Sequence, residues 1–411
     1  MKKTLLTICL VWMCFSLSAQ KIIDLSGKWS FSIDRQDNGE KEKWFSHTLN
    51  DFINLPGSMP EKQKGDEVTA KTQWTGSLYD SSYYYNPYME KYRKEGNIKF
   101  PFFLTPDKHY VGAAWYQKEV NIPADWKGER ILLFLERPHI ETTVWVNGQK
   151  TGMQNSLCVP HQYDITRYVR PGKCTITIRV DNRIKEINVG PDSHSITDQT
   201  QGNWNGIVGR ICLQTTPKTY FDDIQIYPEP EQKLARVKVV IKGTGTAKVK
   251  LSAESFNTDK KHIVPAIQQE IKLNKGVTET EMVLPMGNDM LLWDEFHPAL
   301  YKLKAEVTNG KKTEIKEIQF GIRRFEIKGK WFYVNGRKTQ LRGTVENCDF
   351  PLTGYAPMDV ESWERVFRIC RSYGLNHMRF HSFCPPEAAF MAADRVGFYL
   401  QPEGPSWPNH G

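Results

Sequence analysis

The chain opens with alternation. From about Asp24 to Tyr220, short runs of apolar and polar residues trade places with a period of two and are broken by turn residues. Trp115 to Ile122 and Ile131 to Leu135 are rich in β-branched and aromatic residues. Thr142 to Val146 runs into Asn147-Gly148, a pair that tolerates positive φ and so predicts a two-residue hairpin. Thr175 to Val180 alternates strictly, which puts one face inward and the other toward water. Many short strands with regular turn signals predict a β-sandwich or jelly roll over residues 20–220. Gly57 to His109 breaks this grammar with Trp74, Tyr79, Tyr83, Tyr84, Tyr85, Tyr88 and Tyr92 among Gly and Pro, and reads as a long insertion. Its aromatics either stack on sugar rings or pack the insertion onto its own sandwich, and packing is the commoner use.

A second β-rich stretch covers residues 221–320, with strands predicted at Val237 to Ile241, Ala247 to Ala253, Glu270 to Leu273, Thr278 to Leu284 and Tyr301 to Val307. About seven strands in about 100 residues suit an immunoglobulin-like sandwich. After Gly321 the period changes. Trp331 to Val334, Asn335-Gly336 and Gln340 to Val345 predict a hairpin leading into a strand, and Asp359 to Tyr373 has helical spacing with Trp363, Val366, Phe367 and Cys370 on one face. Leu375 to Phe380 is the next strand, Pro386 to Val396 the next helix and Gly397 to Leu400 a third strand. Strand–helix–strand–helix–strand is a parallel α/β unit.

Composition sets the compartment and narrows the partners. A length of 411 residues suits two or three domains, each with its own core. Lys2 and Lys3, the apolar run from Leu5 to Phe15 and the small residues Ser16 to Ala19 have the layout of a secretory signal peptide over residues 1–19, so a secreted protein, periplasmic or extracellular, is expected. No later stretch is apolar for the 18 or so residues a membrane span needs. Removing the leader takes the formal charge from +8 to +6, with the positives scattered among acids. No basic stripe with interleaved aromatics suggests nucleic acid. The six remaining cysteines, Cys158, Cys174, Cys212, Cys348, Cys370 and Cys384, lie in no C-x-x-C arrangement and read as thiols in large cores rather than zinc or redox pairs. No cofactor or metal is expected; His377 and His381, four apart on a strand, would lie about 13 Å apart.

Several segments together resemble the family 2 glycoside hydrolases, the β-galactosidases, β-glucuronidases and β-mannosidases. Asp24 to Trp29 resembles the family's first strand and Leu55-Pro56-Gly57-Ser58 its next landmark. Trp115-Tyr116, Val144 to Gly148 and Tyr163 to Thr166 resemble its sugar-binding jelly roll, which Trp204-Asn205-Gly206-Ile207 and Arg210 close. Leu291-Leu292-Trp293 with His297 to Tyr301 resembles the immunoglobulin-like domain, and Gly321-Ile322-Arg323, Val334-Asn335-Gly336 and Leu341-Arg342-Gly343 its entry into the catalytic barrel. The resemblance runs in order along nearly the whole mature chain. It implies a jelly roll, an immunoglobulin-like sandwich and, from residue 321 to 411, the first three strands of a (β/α)8 barrel.

A barrel of this kind forms its active site at the carboxyl ends of its strands. The first expected strand ends at Thr344 to Asp349, where the family often carries a His-Glu-type pair and this chain has Asn347 and Cys348, a departure from the common β-galactosidases. Met378 to Ser382 resembles the family's Arg-x-Ser-His segment, so Arg379 and His381 are candidate sugar contacts, Arg379 being equally suited to a structural ion pair. Glu403 resembles a supporting carboxylate of the family. Asp349, Trp407 and, from the jelly roll, Asn203, Trp204 and Asn205 complete the candidate substrate-binding set, the last three also being suited to turn capping and packing.

The family is retaining, with an acid/base Glu after the fourth strand and a nucleophile Glu after the seventh. A full barrel takes roughly 250 residues, so both are expected beyond Gly411 and no catalytic residue is assigned. The expected function is a secreted exo-β-glycosidase truncated before its catalytic pair, with a glycoside or oligosaccharide as substrate and a further copy or a missing carboxyl-terminal part as candidate partner. The competing reading is a non-catalytic carbohydrate-binding or adhesion module.

Overall fold

A computed structural model describes residues 20–76, 81–185 and 193–405. The expected leader, Tyr79 and Trp407 lie outside the described residues. Two antiparallel sheets build the first unit. One runs in the order Ile22–Asp24, Gly206–Thr216, Arg130–His139, His161–Asp164, with Gly57–Ser58 also paired to Gly206–Thr216. The other runs Gln149–Asn155, Glu141–Val146, Gly172–Asp181, Ala113–Ile122, Gly27–Asp34, Asp51–Leu55. The alternation read from the sequence is what closes them: Tyr116, Val144, Val146, Ile176, Ile178, Leu133 and Leu213 all point into one buried core. Asn147 and Gly148 take φ of 50° and 77° in the hairpin.

The 57–109 insertion carries little sheet. Trp74, Tyr83 and Phe100 pack on one another, with ring centroids 5.2–6.0 Å apart, so this part of the aromatic run serves packing. Asp198 ties the insertion to the sandwich, accepting from Thr75 N at 2.5 Å and lying 3.2 Å from His109 Nε2.

The second unit differs in detail from its sequence pattern. Val237 to Ile241 and Ala247 to Ala253 belong to one strand, Leu234–Phe256, and the stretches at Glu270 and Thr278 to another, Ile263–Pro285. These strands pair throughout with register shifts at Gly243/Gly245 and Leu251/Ala253. Gly245, at φ +84°, lets the chain bend without ending the ladder. Tyr220–Glu229, Leu300–Asn309 and Lys312–Phe320 complete the sheet among the described residues.

Beyond a small antiparallel sheet, Phe325–Lys328, Trp331–Val334 and Arg337–Thr339, lies a parallel one: Gly343–Glu346, His377–Phe380 and Tyr399–Gln401. Helix Val360–Ser372 connects the first two strands, capped by Asp359, which accepts from Ser362 N at 2.7 Å, and buries Trp363 and Phe367. Helix Glu387–Val396 connects the next two and stops at Gly397, in the left-handed region at φ +76°. Among the described residues this is an open sheet of three parallel strands with two helices, matching the number of strands expected after residue 321 without itself identifying a barrel. No described helix is long and apolar enough to cross a membrane.

A charge cluster at the end of Gly172–Asp181 gives a direct test of packing. Asp181 is fully buried and meets Arg179 at 3.0 Å, Arg183 at 2.6 Å and Lys185 at 2.6 Å. Burial raises its pKa, but the hydrogen bonds from Arg183 and Lys185 outweigh burial and hold the carboxyl well below its ordinary range. A carboxylate lowered in this way contributes stability above about pH 4, lost as pH falls below that value. Asp181→Asn should destabilise the chain by about 2–3 kcal/mol at pH 7, because three cations lose the carboxylate they share and keep only Asp37 and Glu141, with a smaller difference from wild type in melts at pH 3.

Candidate functional site

The parallel strands end together, and the groups at those ends are held by one another and by the first sandwich. Arg379 Nε donates to Glu403 Oε1 at 2.5 Å, and Ser382 N donates to Glu403 Oε2 at 2.7 Å. Ser382 sits in the left-handed region at φ 50°, which turns its N–H toward the carboxylate. Burial pushes Glu403 up, but the Ser382 N–H and the Arg379 guanidinium outweigh it and hold the group below its ordinary value. Two residues considered separately in the sequence are therefore one ion pair, with both side chains part-exposed. The structural use of Arg379 is present, and the pair still presents charge to solvent.

His381 continues the strand-end array. Its N–H donates to Glu346 O at 2.9 Å, and its Nδ1 lies 3.2 Å from Nδ1 of His194. Two facing ring nitrogens can share one proton but cannot both donate; burial, then the charge of His381, pushes the His194 pKa down. His194 arrives from the 193–205 loop of the first sandwich. That loop also supplies Gln201, whose Nε2 donates to His381 O at 2.7 Å, and Ser195, whose Oγ donates to Ser382 O at 2.7 Å; Ser193 Oγ bonds Pro405 O. No spacing or motif marks His194, Ser195 or Gln201 in the sequence, because each acts across more than 170 positions of chain.

The three jelly-roll candidates form the end of this loop and are buried against the sandwich. Asn205 is buried; its Oδ1 accepts from Tyr116 Oη at 2.8 Å and its Nδ2 donates to Gly112 O and Val180 O, both at 3.0 Å. Asn203 donates to Asn182 O at 2.9 Å and lies 3.1 Å from His139 Nε2. Trp204 stacks on His139 with ring centroids 4.4 Å apart. Burial, then the nearby Arg137, pushes His139 down to about 3, so it is neutral at pH 7. Packing and backbone bonding are the roles the structure displays for Asn203, Trp204 and Asn205.

Asp349 stands apart from the ion pair. It lines a groove of about 810 Å3 between the first sandwich and the 349–359 loop, with Glu136, Arg210, Leu352, Tyr355 and Met358; Arg379, His381 and Glu403 do not line it. Burial, then the charge of Glu346, pushes Asp349 up to about 6.

Residues 22–217 match the glycosyl hydrolases family 2 sugar-binding domain, and residues 219–323 match a second domain described as glycosyl hydrolases family 2. The chain belongs to glycosyl hydrolase family 2. Among its curated relatives are the β-glucuronidase of Homo sapiens, 24% identical with 93% of this chain and 57% of the relative covered, and that of Paenibacillus borealis, 24% identical with 94% and 59% covered. The β-galactosidase of Thermoanaerobacter pseudethanolicus is 25% identical over 77% of this chain and 42% of its own length. The chain thus spans about half the length of the curated relatives it matches. The crystal structure of Ruminococcus gnavus β-glucuronidase shares the fold with a TM-score of 0.68 at 20% identity, over 94% of this chain and 59% of that one. A family 2 member from Bacteroides cellulosilyticus does so at 0.66 and 20%, over 93% and 47%. The structural likeness, over 93–94% of this chain, extends past residue 323, where the domain matches stop.

Two variants separate structural from exposed roles. Asn205→Ala should lower stability by about 3 kcal/mol, since the Gly112 and Val180 carbonyls each lose a donor and the Tyr116 hydroxyl loses its acceptor in the core, read as a fall in melting temperature. Asp349 behaves oppositely: a carboxyl raised above its unfolded value costs stability as pH climbs from about 4 through 6. Asp349→Asn should therefore stabilise the chain by about 1–2 kcal/mol at pH 7.5 and be neutral at pH 4.

Proposed function

We propose that this chain is the amino-terminal part of an exported, retaining exo-β-glycosidase acting on β-glucuronides or β-galactosides. The substrate site would form at the carboxyl ends of Gly343–Glu346, His377–Phe380 and Tyr399–Gln401, taken as the first strands of a (β/α)8 barrel. The observation that carries this reading is the Arg379–Glu403 pair at those ends, fixed by Ser382 N on one side and by the 193–205 loop on the other. Active-site groups of a barrel collect at this end of the strands. A guanidinium already oriented by a carboxylate can fork toward a sugar hydroxyl or uronate without a fresh ordering cost.

Retaining hydrolysis uses two carboxyl groups about 5–5.5 Å apart, one as nucleophile and one as acid/base. Glu403 is salt-bridged and bonded through both oxygens, so it serves as an orienting group and not as either member of that pair. In this reading the catalytic carboxylates belong to further barrel strands, and the present chain contributes substrate binding and the scaffold. The relatives named above as β-glucuronidases and β-galactosidases support the substrate class.

The full chain should give no turnover of p-nitrophenyl β-glucuronide, β-galactoside or β-mannoside above a protein-free control. A polypeptide extended through a complete barrel should hydrolyse one of them with retention, seen as the first-formed anomer by proton NMR, and Arg379→Ala in that polypeptide should cut kcat/KM by about 100-fold or more. Turnover by residues 1–411 alone, or inversion in the longer protein, would sink the proposal. Tight glycan binding by a chain that no extension renders active would favour the carbohydrate-binding module.

A further inference from the structure

The contact between the first sandwich and the parallel unit contains two cysteines that neither the fold nor the proposed hydrolysis uses. Cys158 lies between strands Gln149–Asn155 and His161–Asp164, and Cys384 lies between strand His377–Phe380 and helix Glu387–Val396. Arg137 sits at both. Its Nη2 donates to Cys384 O at 3.0 Å and approaches Cys158 Sγ at 4.0 Å, while its guanidinium lies 4.9 Å from the Phe383 ring centroid. Both residues thus meet the same guanidinium nitrogen, and Cys384 Sγ itself lies 3.8 Å from Pro385 O.

The electrostatics of the spot are unusual. Arg137 is only 9% exposed, and among the described residues it has no carboxylate within ion-pair distance; its Nη1 is buried without a hydrogen-bond partner. A buried cation without a counter-ion favours an anion beside it; the groups near it that can become anions are the thiols of Cys158, Cys384 and Cys348, and of these residues only Cys158 and Cys384 contact the guanidinium. The hydrogen bond with Cys158, opposed by burial and aided by the charge of Arg137, draws Cys384 down to about 6, whereas the same bond and burial push Cys158 well above its ordinary value. Both residues are half-buried, unlike the buried Cys174, Cys212 and Cys348.

We propose that Cys158 and Cys384 are a reactive thiol pair that closes to a disulfide, covalently tying the first sandwich to the loop whose Ser382 N–H holds Glu403. The oxidant is a small-molecule disulfide of the oxidised glutathione class. The Cys384 thiolate attacks one of its sulfurs and expels one thiolate, leaving a mixed disulfide on Cys384. Cys158 then loses its proton, attacks the Cys384 sulfur and expels the second thiolate. Two protein thiols give up two electrons and two protons, and one oxidant disulfide becomes two thiols. This inference rests on the shared contact with Arg137 and is independent of which sugar is cleaved.

The test is peptide mapping of the full chain after equilibration with oxidised and reduced glutathione, quenching with N-ethylmaleimide and proteolysis without reductant. The expected product is a cross-linked peptide pair joining Cys158 to Cys384; Cys158→Ser should instead trap glutathione on Cys384, and Cys384→Ser should give neither species. Arg137→Gln should slow alkylation of Cys384 by iodoacetamide at pH 6–7 by about tenfold, because thiolate is the reacting form. Recovery of both thiols in the alkylated state from the fully oxidising mixture, or a dominant cross-link between other cysteines, overturns the pairing. An unchanged alkylation rate in Arg137→Gln overturns the role given to the guanidinium.

Discussion

The arrangement of the strand ends depends on a loop that the first sandwich holds still. Residues 193–205 run across the parallel unit, and their underside is fixed by buried amides: Asn205 spans Gly112, Val180 and Tyr116, Asn203 reaches the Asn182 carbonyl, and Asp198 ties in the insertion. An amide buried with its donors and acceptors satisfied is expensive to displace. That rigidity is passed on through Gln201 and Ser195 to the carbonyls of His381 and Ser382, and through the Ser382 N–H to Glu403.

The opposite end of the parallel unit is held by the second sandwich. Asn376, just before strand His377–Phe380, donates to Glu295 Oε2 at 2.6 Å and accepts from Arg342 N at 2.8 Å. Arg371 donates to Glu295 O, Val396 O and Gly397 O, and Trp293 Nε1 donates to Asp394 O at 2.7 Å. One sandwich thus grips the amino-terminal ends of the strands and the other their carboxyl ends. A parallel sheet of three strands has little interior of its own, and these two attachments give its helices and strands a fixed frame. Charged groups at the carboxyl ends can then keep one geometry, which is what binding a sugar by directional hydrogen bonds requires.

Much of this was legible in the chain, and for identifiable reasons. Period-two alternation at Thr175 to Val180 and the Asn147-Gly148 pair specify strands and a hairpin through local sterics alone. Asp359, Pro386 and Gly397 mark helix ends in the same way. Where local signals misled, one element was read as two: Val237 to Ile241 and Ala247 to Ala253 read as separate strands, yet the long strand Leu234–Phe256 bends at Gly243 and Gly245 and continues, because pairing with Ile263–Pro285 outweighs the cost of the glycines. The strand Phe325–Lys328 alternates apolar and polar residues but is only four residues long, and its pairing with Trp331–Val334 is what defines it.

By itself, then, the sequence determined the order of elements, the two β-rich stretches followed by a parallel α/β unit, and the residues Arg379, His381 and Glu403 at the strand ends. Those properties come from contacts a few residues long. Only the tertiary structure decided that Arg379 and Glu403 neutralise one another, that His194 faces His381, that Asn203 and Asn205 are used inside the sandwich, and that Cys158 and Cys384 both meet Arg137. Each of these joins positions 20 to more than 200 residues apart. Side-chain chemistry can be read from one position, but the partner that sets its charge and accessibility is chosen by how the domains pack.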